Sequence, residues 1–304
     1  MIFPTKLEPG DTIGLVAPSS PVPSERIDKC VSLLQSMGYR VKEGANCRKV
    51  YHGYLAGTDA ERAKDVNDMF ADEEVKAIFC LRGGNGSVRI MDLLDYDMIK
   101  QNPKIFVGYS DITNLLMAFN TLCGFVTYHG PMVSSNMLNN YDPYTRESFE
   151  AVLNMGAQYT FRNPEDRELQ VLVPGCAKGQ LIGGNLSLLI NMLGTYWAPD
   201  YHNKILFIED IYESVPNVDR MICQMKALGL FDQIAGLLIG DFSDCENEYD
   251  SHFFINEYIR DQFADLKVPV MYNVGVGHCY PTGSLIMGCE CQMDTTKKEI
   301  TLFS

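Results

Sequence analysis

The feature that most restricts the fold is a regular alternation of apolar and amphipathic segments through the first 132 residues. The apolar segments have strand length, and the intervening ones, such as residues 24–38 and 58–72, carry apolar residues at helical spacing. Strands separated by helices of this length are joined by crossovers, which place them parallel in one sheet with helices on both faces. The pattern therefore predicts a doubly wound α/β layer.

The pattern changes after residue 132. Residues 133–163 are rich in Asn, Tyr and Ser around one helical segment, which is typical of a linker. Strand-length segments dominate from residue 164 onward, and helical spacing is confined to residues 185–194, 218–229 and 251–264. We therefore expect an N-terminal α/β domain (1–132), a linker (133–163) and a β-rich C-terminal domain (164–304).

Composition argues against several classes of protein. The formal net charge of −14, with no basic run, does not fit a nucleic-acid binder. No window approaches about 18 consecutive apolar residues, and the N-terminus lacks an apolar signal core, so neither membrane insertion nor export is expected. Most of the ten cysteines lie in apolar runs, which favours free thiols in the cytoplasm. Cys289 and Cys291 have no matching Cys/His pair, so we expect no metal.

Two loops follow apolar strands of the first half, where open parallel sheets bind ligands. In the loop "GYSD", Ser110 follows a strand directly and opens a helix, so its hydroxyl projects from a sharp turn. The N–H of Asp111 is then a free donor suited to an oxyanion. In the loop "RGGNG", Gly83 and Gly84 allow a second backbone N–H to approach the same point.

Each loop also has a simpler interpretation. Serine is a favoured N-cap, and the G-x-S-x-G pattern of hydrolases is incomplete because Ile112 occupies its last position. The glycine-rich loop lacks the Lys-Ser/Thr of a phosphate-binding loop and the G-x-G-x-x-G spacing, which disfavours nucleotide binding.

A serine nucleophile needs a base and an acid that orients it. Among five histidines, His129 and His278 end apolar strands, and Gly275 and Gly277 leave His278 backbone room. The strand "ILFIED" ends in two acids, Glu209 and Asp210. Serine, acid and histidine at three strand ends suggest one site, although the sequence does not show that they converge.

The chain also carries a series of motifs in one order: "GDTIGLVAPSSPV", "LRGGNGSVRIMDLLD", "GYSDITNLL", "TYHGPM", "GGNLSLLINMLGT", "LFIEDIYESVPNVDRM" and "VGVGH". In these motifs it resembles the LD-carboxypeptidases, or muramoyltetrapeptide carboxypeptidases, a family of serine peptidases. The resemblance covers nearly the whole chain. It implies a flavodoxin-like, doubly wound N-terminal domain and a smaller β-rich C-terminal domain.

The resemblance also implies roles for the residues at the strand ends. Ser110 would be the nucleophile, His278 the base and Glu209 the carboxylate that orients it. The N–H groups of Gly84 and Asp111 would form the oxyanion hole. The candidate substrate contacts are Arg82, Gly83, His129 and Asn185.

The function implied is that of a cytoplasmic serine carboxypeptidase, without cofactor, that removes the terminal D-alanine of a muropeptide tetrapeptide in cell-wall recycling. A sister group with the same fold and triad hydrolyses microcin C7, and that activity remains an alternative. A non-catalytic protein that binds a small ligand in the same cleft is a second alternative. The sequence leaves open the diamino acid at the third peptide position and whether the chain forms a homodimer.

Overall fold

The computed structural model describes residues 1–250 and 252–304, which form two β-sheets packed with helices. The strands, in chain order, are β1 (Thr12–Val16), β2 (Arg40–Glu43), β3 (Val75–Cys80), β4 (Ile105–Gly108), β5 (Thr127–His129), β6 (Gln158–Phe161), β7 (Gln170–Val173), β8 (Cys176–Asn185), β9 (Ile205–Ile211), β10 (Gly236–Ser243), β11 (Val270–Tyr272), β12 (Leu285–Met287), β13 (Glu290–Asp294) and β14 (Glu299–Phe303). The α-helices are α1 (Ser24–Ser36), α2 (Asp59–Ala71), α3 (Tyr96–Gln101), α4 (Thr113–Ala118), α5 (Pro143–Leu153), α6 (Leu186–Met192), α7 (Val215–Ala227) and α8 (Ile255–Phe263). Short 3-10 helices span Ser87–Leu93, Ser110–Ile112 and Leu230–Asp232, and π-helical turns span Phe119–Cys123 and Val133–Met137.

The first sheet confirms the doubly wound prediction. Its strands β2, β1, β3, β4 and β5 lie side by side in that order and are all parallel. This is the flavodoxin-like strand order, with helices on both faces. Every residue of β1 and β4 is buried, whereas β2 at the edge alternates between exposed and half-buried positions. Burial from both sides explains why the central strands are continuously apolar.

The second sheet is mixed, as the strand-rich second half of the sequence indicates. Its order is β6-β14-β13-β8-β9-β10-β11-β7. The four strands β8 to β11 are parallel, and antiparallel strands flank them on both sides. The parallel block is another sheet whose carboxyl ends can carry functional residues.

One strand crosses between the two halves of the chain. β12 pairs antiparallel with β5, with Leu285 opposite His129, and so completes the first sheet from within the segment 164–304. Without this partner, β5 would present a row of unpaired backbone groups at the sheet edge. The C-terminal segment is therefore interlocked with the first sheet.

Two helical segments bear on the comparison with the sequence. Ser87–Leu93, after the loop "RGGNG", is a 3-10 helix, and its first residue donates its N–H to the side chain of Asp111 at 2.8 Å and its hydroxyl to the Asp111 carbonyl at 2.5 Å. The helix expected over 251–264 is α8; Ser251 lies outside the described residues.

The two sheets meet at the carboxyl ends of their strands. The backbone N–H of Asn185, at the end of β8, donates to Thr113 Oγ1 at the start of α4 over 3.1 Å. A Cβ on neighbouring Gly184 would lie only 2.7 Å from the same hydroxyl oxygen. This close approach brings the ends of β4 and β9 to one cleft.

Candidate active site

Ser110 occupies a strained turn two residues beyond β4. Its φ of 62° places a non-glycine residue in the left-handed region, a strain that clusters at functional sites. The N-cap residues of the 3-10 helix and of α4 are Tyr109 and Ile112, and neither makes a side-chain capping bond. Ser110 is the first residue of the 3-10 helix and so occupies neither N-cap position. The helix-cap interpretation of Ser110 is therefore wrong. Its hydroxyl lies beside Gly83, where an added Cβ would be 3.1 Å from Oγ.

Two backbone donors lie in the loops around this serine. The described hydrogen bonds, covering residues 1–250 and 252–304, use neither the N–H of Gly84 nor that of Asp111. Gly84 has φ of 117°, and a Cβ there would lie 2.2 Å from Ser20 Oγ. Glycine is thus required at position 84 both by its backbone conformation and by its neighbour.

The side chain of Asp111 joins three loops beneath the turn. It is buried, and its Oδ2 accepts hydrogen bonds from Ser19 Oγ at 2.6 Å and from the Ser87 N–H at 2.8 Å. Burial raises the pKa of this carboxyl, and these hydrogen bonds partly offset the rise. The network fixes the loop of Gly84 relative to the turn of Ser110. Sequence reasoning used only the backbone of Asp111. The available signal was an acid directly before Ile112, in a turn that follows a buried strand.

Glu209 and His278 form a buried pair contributed by the second half of the chain. His278 Nδ1 lies 2.7 Å from Glu209 Oε2, and their side chains are 12% and 0% exposed. A Cβ on Gly277 would lie 2.7 Å from the same carboxylate oxygen, so glycine is required there for the close approach. Nδ1–H donates to the carboxylate in this arrangement, which leaves Nε2 as the basic nitrogen.

Opposing effects set the pKa values of this pair. Burial would raise the pKa of Glu209, but the charge and hydrogen bond of His278 outweigh burial and hold it below its usual value. Burial would lower the pKa of His278, but Glu209 raises it above the ordinary value, with smaller contributions from Asp210 and Asp241. The pair thus favours a carboxylate that stabilises an imidazolium.

The alternation of β9 separates its two terminal acids. Asp210 points away from His278, and its oxygens accept hydrogen bonds from Asn185 Nδ2 at 2.9 Å and from Ser187 N and Oγ at 2.9 and 2.6 Å. Burial raises the pKa of Asp210 to about 6. Successive side chains of a strand face opposite ways, so only Glu209 meets the histidine.

A cavity of about 490 Å³ collects groups from both sheets. Of the residues predicted from sequence, six line it: Arg82, Gly83, Gly84, Ser110, Asn185 and His278. Glu209 lies behind His278 and Asp111 lies behind Ser110, where each can act through its neighbour. Sequence reasoning missed Tyr212, which lines the cavity, is 76% exposed and has φ of 60°.

His129 is placed differently from the expectation that it contacts substrate. It is 1% exposed and does not line the cavity. Its ring lies 5.5 Å from that of Tyr109 and 5.4 Å from that of Phe207, centroid to centroid. Burial lowers its pKa to about 4, so it is neutral near pH 7. The aromatic contacts make His129 part of the packing beneath the site.

Two features are absent from the described residues. No group of three or more His, Cys, Asp or Glu side chains is arranged to hold a metal ion there. In the same part of the chain, no helix combines the length and apolar character needed to cross a membrane.

The chain matches two family models, described as the LD-carboxypeptidase N-terminal domain over residues 13–130 and the LD-carboxypeptidase C-terminal domain over residues 178–293. It is 39% identical over 297 residues to a probable murein peptide carboxypeptidase of Bacillus subtilis, covering 97% of this chain and 92% of that protein.

Solved structures are similar over the full length. A muramoyltetrapeptide carboxypeptidase from Oxalobacter formigenes has a TM-score of 0.84 at 28% identity, covering 96% of this chain and 97% of that one. The microcin C7 self-immunity protein MccF in its wild-type apo state has a TM-score of 0.91 at 27% identity, covering 100% and 99%. MccF from Escherichia coli is 29% identical over 325 residues, covering 96% of this chain and 93% of that protein.

Proposed function

Because the chain belongs to the LD-carboxypeptidase family, we propose that it is a serine carboxypeptidase that hydrolyses the L,D bond to the terminal D-alanine of a muropeptide tetrapeptide. The observation that carries this proposal is the buried Glu209–His278 pair, whose imidazole lines the same cavity as Ser110. An oriented base beside a strained serine is the arrangement that nucleophilic acyl transfer needs.

In the proposed first step, Ser110 Oγ attacks the carbonyl carbon of the third residue while His278 Nε2 takes the hydroxyl proton. Glu209 stabilises the imidazolium, and the N–H groups of Gly84 and Asp111 bind the oxyanion. The tetrahedral intermediate collapses as His278 gives its proton to the leaving nitrogen. D-Alanine departs and the peptide remains as an ester on Ser110.

In the second step, water attacks the ester carbonyl while His278 accepts a proton from it. The second tetrahedral intermediate expels Ser110 Oγ, which recovers its proton from His278, and the shortened peptide leaves as a carboxylic acid. His278 Nε2 accepts and returns every proton in both steps, so the proposed reaction balances without a cofactor.

We assign this reaction to cell-wall recycling in the cytoplasm, where the ten free cysteines would stay reduced. We further propose residues 1–132 and 164–304 as the two domains, joined by 133–163, with the added feature that β12 returns to the first sheet. Ser110 would then come from one domain and the Glu209–His278 pair from the other, a common setting for ligand sites.

The test is mass spectrometry of a muropeptide tetrapeptide after incubation with the protein. We expect loss of one alanine and the appearance of free D-alanine. The matched peptide ending in L-alanine should remain intact. A substrate that stays whole over a range of peptides differing at the third residue would overturn the proposal.

A second candidate is hydrolysis of a microcin-type aminoacyl nucleotide. It is favoured by the likeness to MccF and by exposed Tyr212 in the cavity, since an aromatic ring can stack on a nucleobase. Incubation with an aspartyl adenylate analogue tests it. Faster cleavage of this analogue than of the tetrapeptide would favour the second candidate.

A further inference from the structure

Arg82 provides the one permanent positive charge among the described residues that line the cavity. Its side chain is exposed, and it directly precedes Gly83, whose added Cβ would lie 3.1 Å from Ser110 Oγ. The backbone of Arg82 therefore lies one residue before the glycine that faces the predicted nucleophile.

Arg82 is also unpaired. Within residues 1–250 and 252–304, no carboxylate lies within 4.0 Å of its guanidinium and no hydrogen bond uses it. Other arginines nearby are occupied: Arg89 pairs with Asp59 at 2.9 Å, and Arg26 Nε donates to Ser134 Oγ at 2.8 Å. An unpaired guanidinium in a cleft is available to a ligand.

The acids that line the cavity make their hydrogen bonds with residues other than Arg82. The oxygens of Asp210 accept from Asn185 and Ser187, and Glu213 accepts from Asn217 at 2.8 Å. The whole chain carries a formal charge of −14, which repels anions from most of its surface. A negatively charged group that enters the cavity therefore finds its favourable partner at Arg82.

We propose that Arg82 binds the α-carboxylate of the substrate's terminal residue and so restricts cleavage to the last peptide bond. The inference rests on the proposed function, because the terminal residue is the leaving group of that reaction. Its carboxylate is one residue beyond the scissile carbonyl, and Arg82 lines the same cavity as Ser110 and directly precedes Gly83, which lies beside that serine. The planar guanidinium can hold a carboxylate by two parallel hydrogen bonds, which lysine cannot reproduce.

The experiment compares binding of two peptides that differ in one group: a tetrapeptide with a free terminal carboxylate and its carboxamide. Calorimetry on the Ser110→Ala protein measures both without turnover. We expect the acid to bind about 10- to 100-fold more tightly than the amide, the scale of a hydrogen-bonded ion pair. Adding Arg82→Gln should remove this preference, and Arg82→Lys should retain part of it.

Arg89→Gln is the matched control, because Arg89 is exposed on the following 3-10 helix and paired with Asp59. It should leave the preference for the acid unchanged. If the Arg82→Gln protein still prefers the acid as strongly as its parent, or if the parent binds neither peptide, the inference is overturned.

Turnover separates this inference from the proposed function. A preference for the acid that depends on Arg82, in an enzyme that releases no D-alanine, would support carboxylate binding and contradict the carboxypeptidase. Release of D-alanine with an acid-to-amide ratio in kcat/KM that Arg82→Gln leaves unchanged would support the carboxypeptidase and contradict the role of Arg82.

Discussion

The two sides of the cleft hold their functional groups by different physical means. On the side of the first sheet, backbone conformation is decisive: Ser110 and Gly84 both have positive φ, and Asp111 ties their loops together. On the side of the second sheet, charge is decisive, because fully buried Glu209 faces His278 at 2.7 Å.

This difference suggests how each side responds to substitution. The loops of Ser110 and Gly84 depend on backbone conformation, so added side-chain atoms should disturb them. The Glu209–His278 pair depends on charge, so a neutral side chain of the same shape should disturb it. The variants below separate these two sensitivities.

Ser110→Ala should have the largest effect. If Ser110 is the nucleophile of a triad that acts as a unit, as we propose, its removal should lower turnover by about 10⁶-fold. The matched control is Ser32→Ala on α1, whose hydroxyl donates to Asp28 O of its own helix. Steady-state kinetics of D-alanine release measures both variants. Turnover near the wild-type value in a folded Ser110→Ala protein would exclude the serine mechanism.

Glu209→Gln should follow, with a loss in kcat of about 10⁴-fold and little change in KM. The amide keeps the shape of the carboxylate but cannot stabilise the imidazolium. Glu290→Gln is the control, since Glu290 is an exposed acid of the second sheet paired with Lys178. If the Glu209→Gln protein keeps full turnover, the negative charge of Glu209 is not required for the reaction.

Gly84→Ala should lower kcat by about 10²- to 10³-fold, comparable to the loss of one oxyanion donor. The new Cβ would meet Ser20 Oγ at 2.2 Å and displace the loop. Gly10→Ala provides the control, because Gly10 has φ of 90° but no atom within 4 Å of the added Cβ. Equal activity losses in the two variants would attribute the effect to backbone strain alone.

The smallest effect expected is a shift in pH dependence. His278 must be neutral to accept the serine proton, and its pKa is raised, so kcat/KM should increase with pH through a value above the ordinary 6.5 or so of histidine. In Glu209→Gln the charge that raises the His278 pKa most is lost while burial remains, and only the smaller electrostatic contributions of Asp210 and Asp241 are left. The rise of kcat/KM with pH should therefore occur at lower pH in this variant. A rise at unchanged pH would mean that a group other than His278 controls it.

Part of the candidate site is visible in sequence because apolar runs precede Ser110, Glu209 and His278. The prediction that His278 ends a strand is wrong, since β11 ends at Tyr272 and a loop carries the histidine. The parallel order of β1 to β5 follows from the alternation with helices. The relation of Glu209 to Asp210 required the observed orientation of β9.

Other features depend on contacts between distant parts of the chain. The hydrogen bond from Ser19 to Asp111 joins residues 92 positions apart, and no local sequence pattern predicts it. The burial of His129 follows from its pairing with β12, which a strand-by-strand analysis assigned to the other half. The neighbouring rings of Tyr109 and Phe207 could not be foreseen either.

The return of β12 to the first sheet has a consequence for synthesis. A ribosome makes the chain from its N-terminus, so the turn of Ser110 emerges long before residues 285–287 can close the edge of β5. Until then the nascent chain exposes a strand edge, a state that favours chaperone contact or wrong pairing. The same late segment follows closely after His278. Residues 278–287 thus complete both the first sheet and the proposed triad, and a chain terminated before them would carry Ser110 without its proposed base.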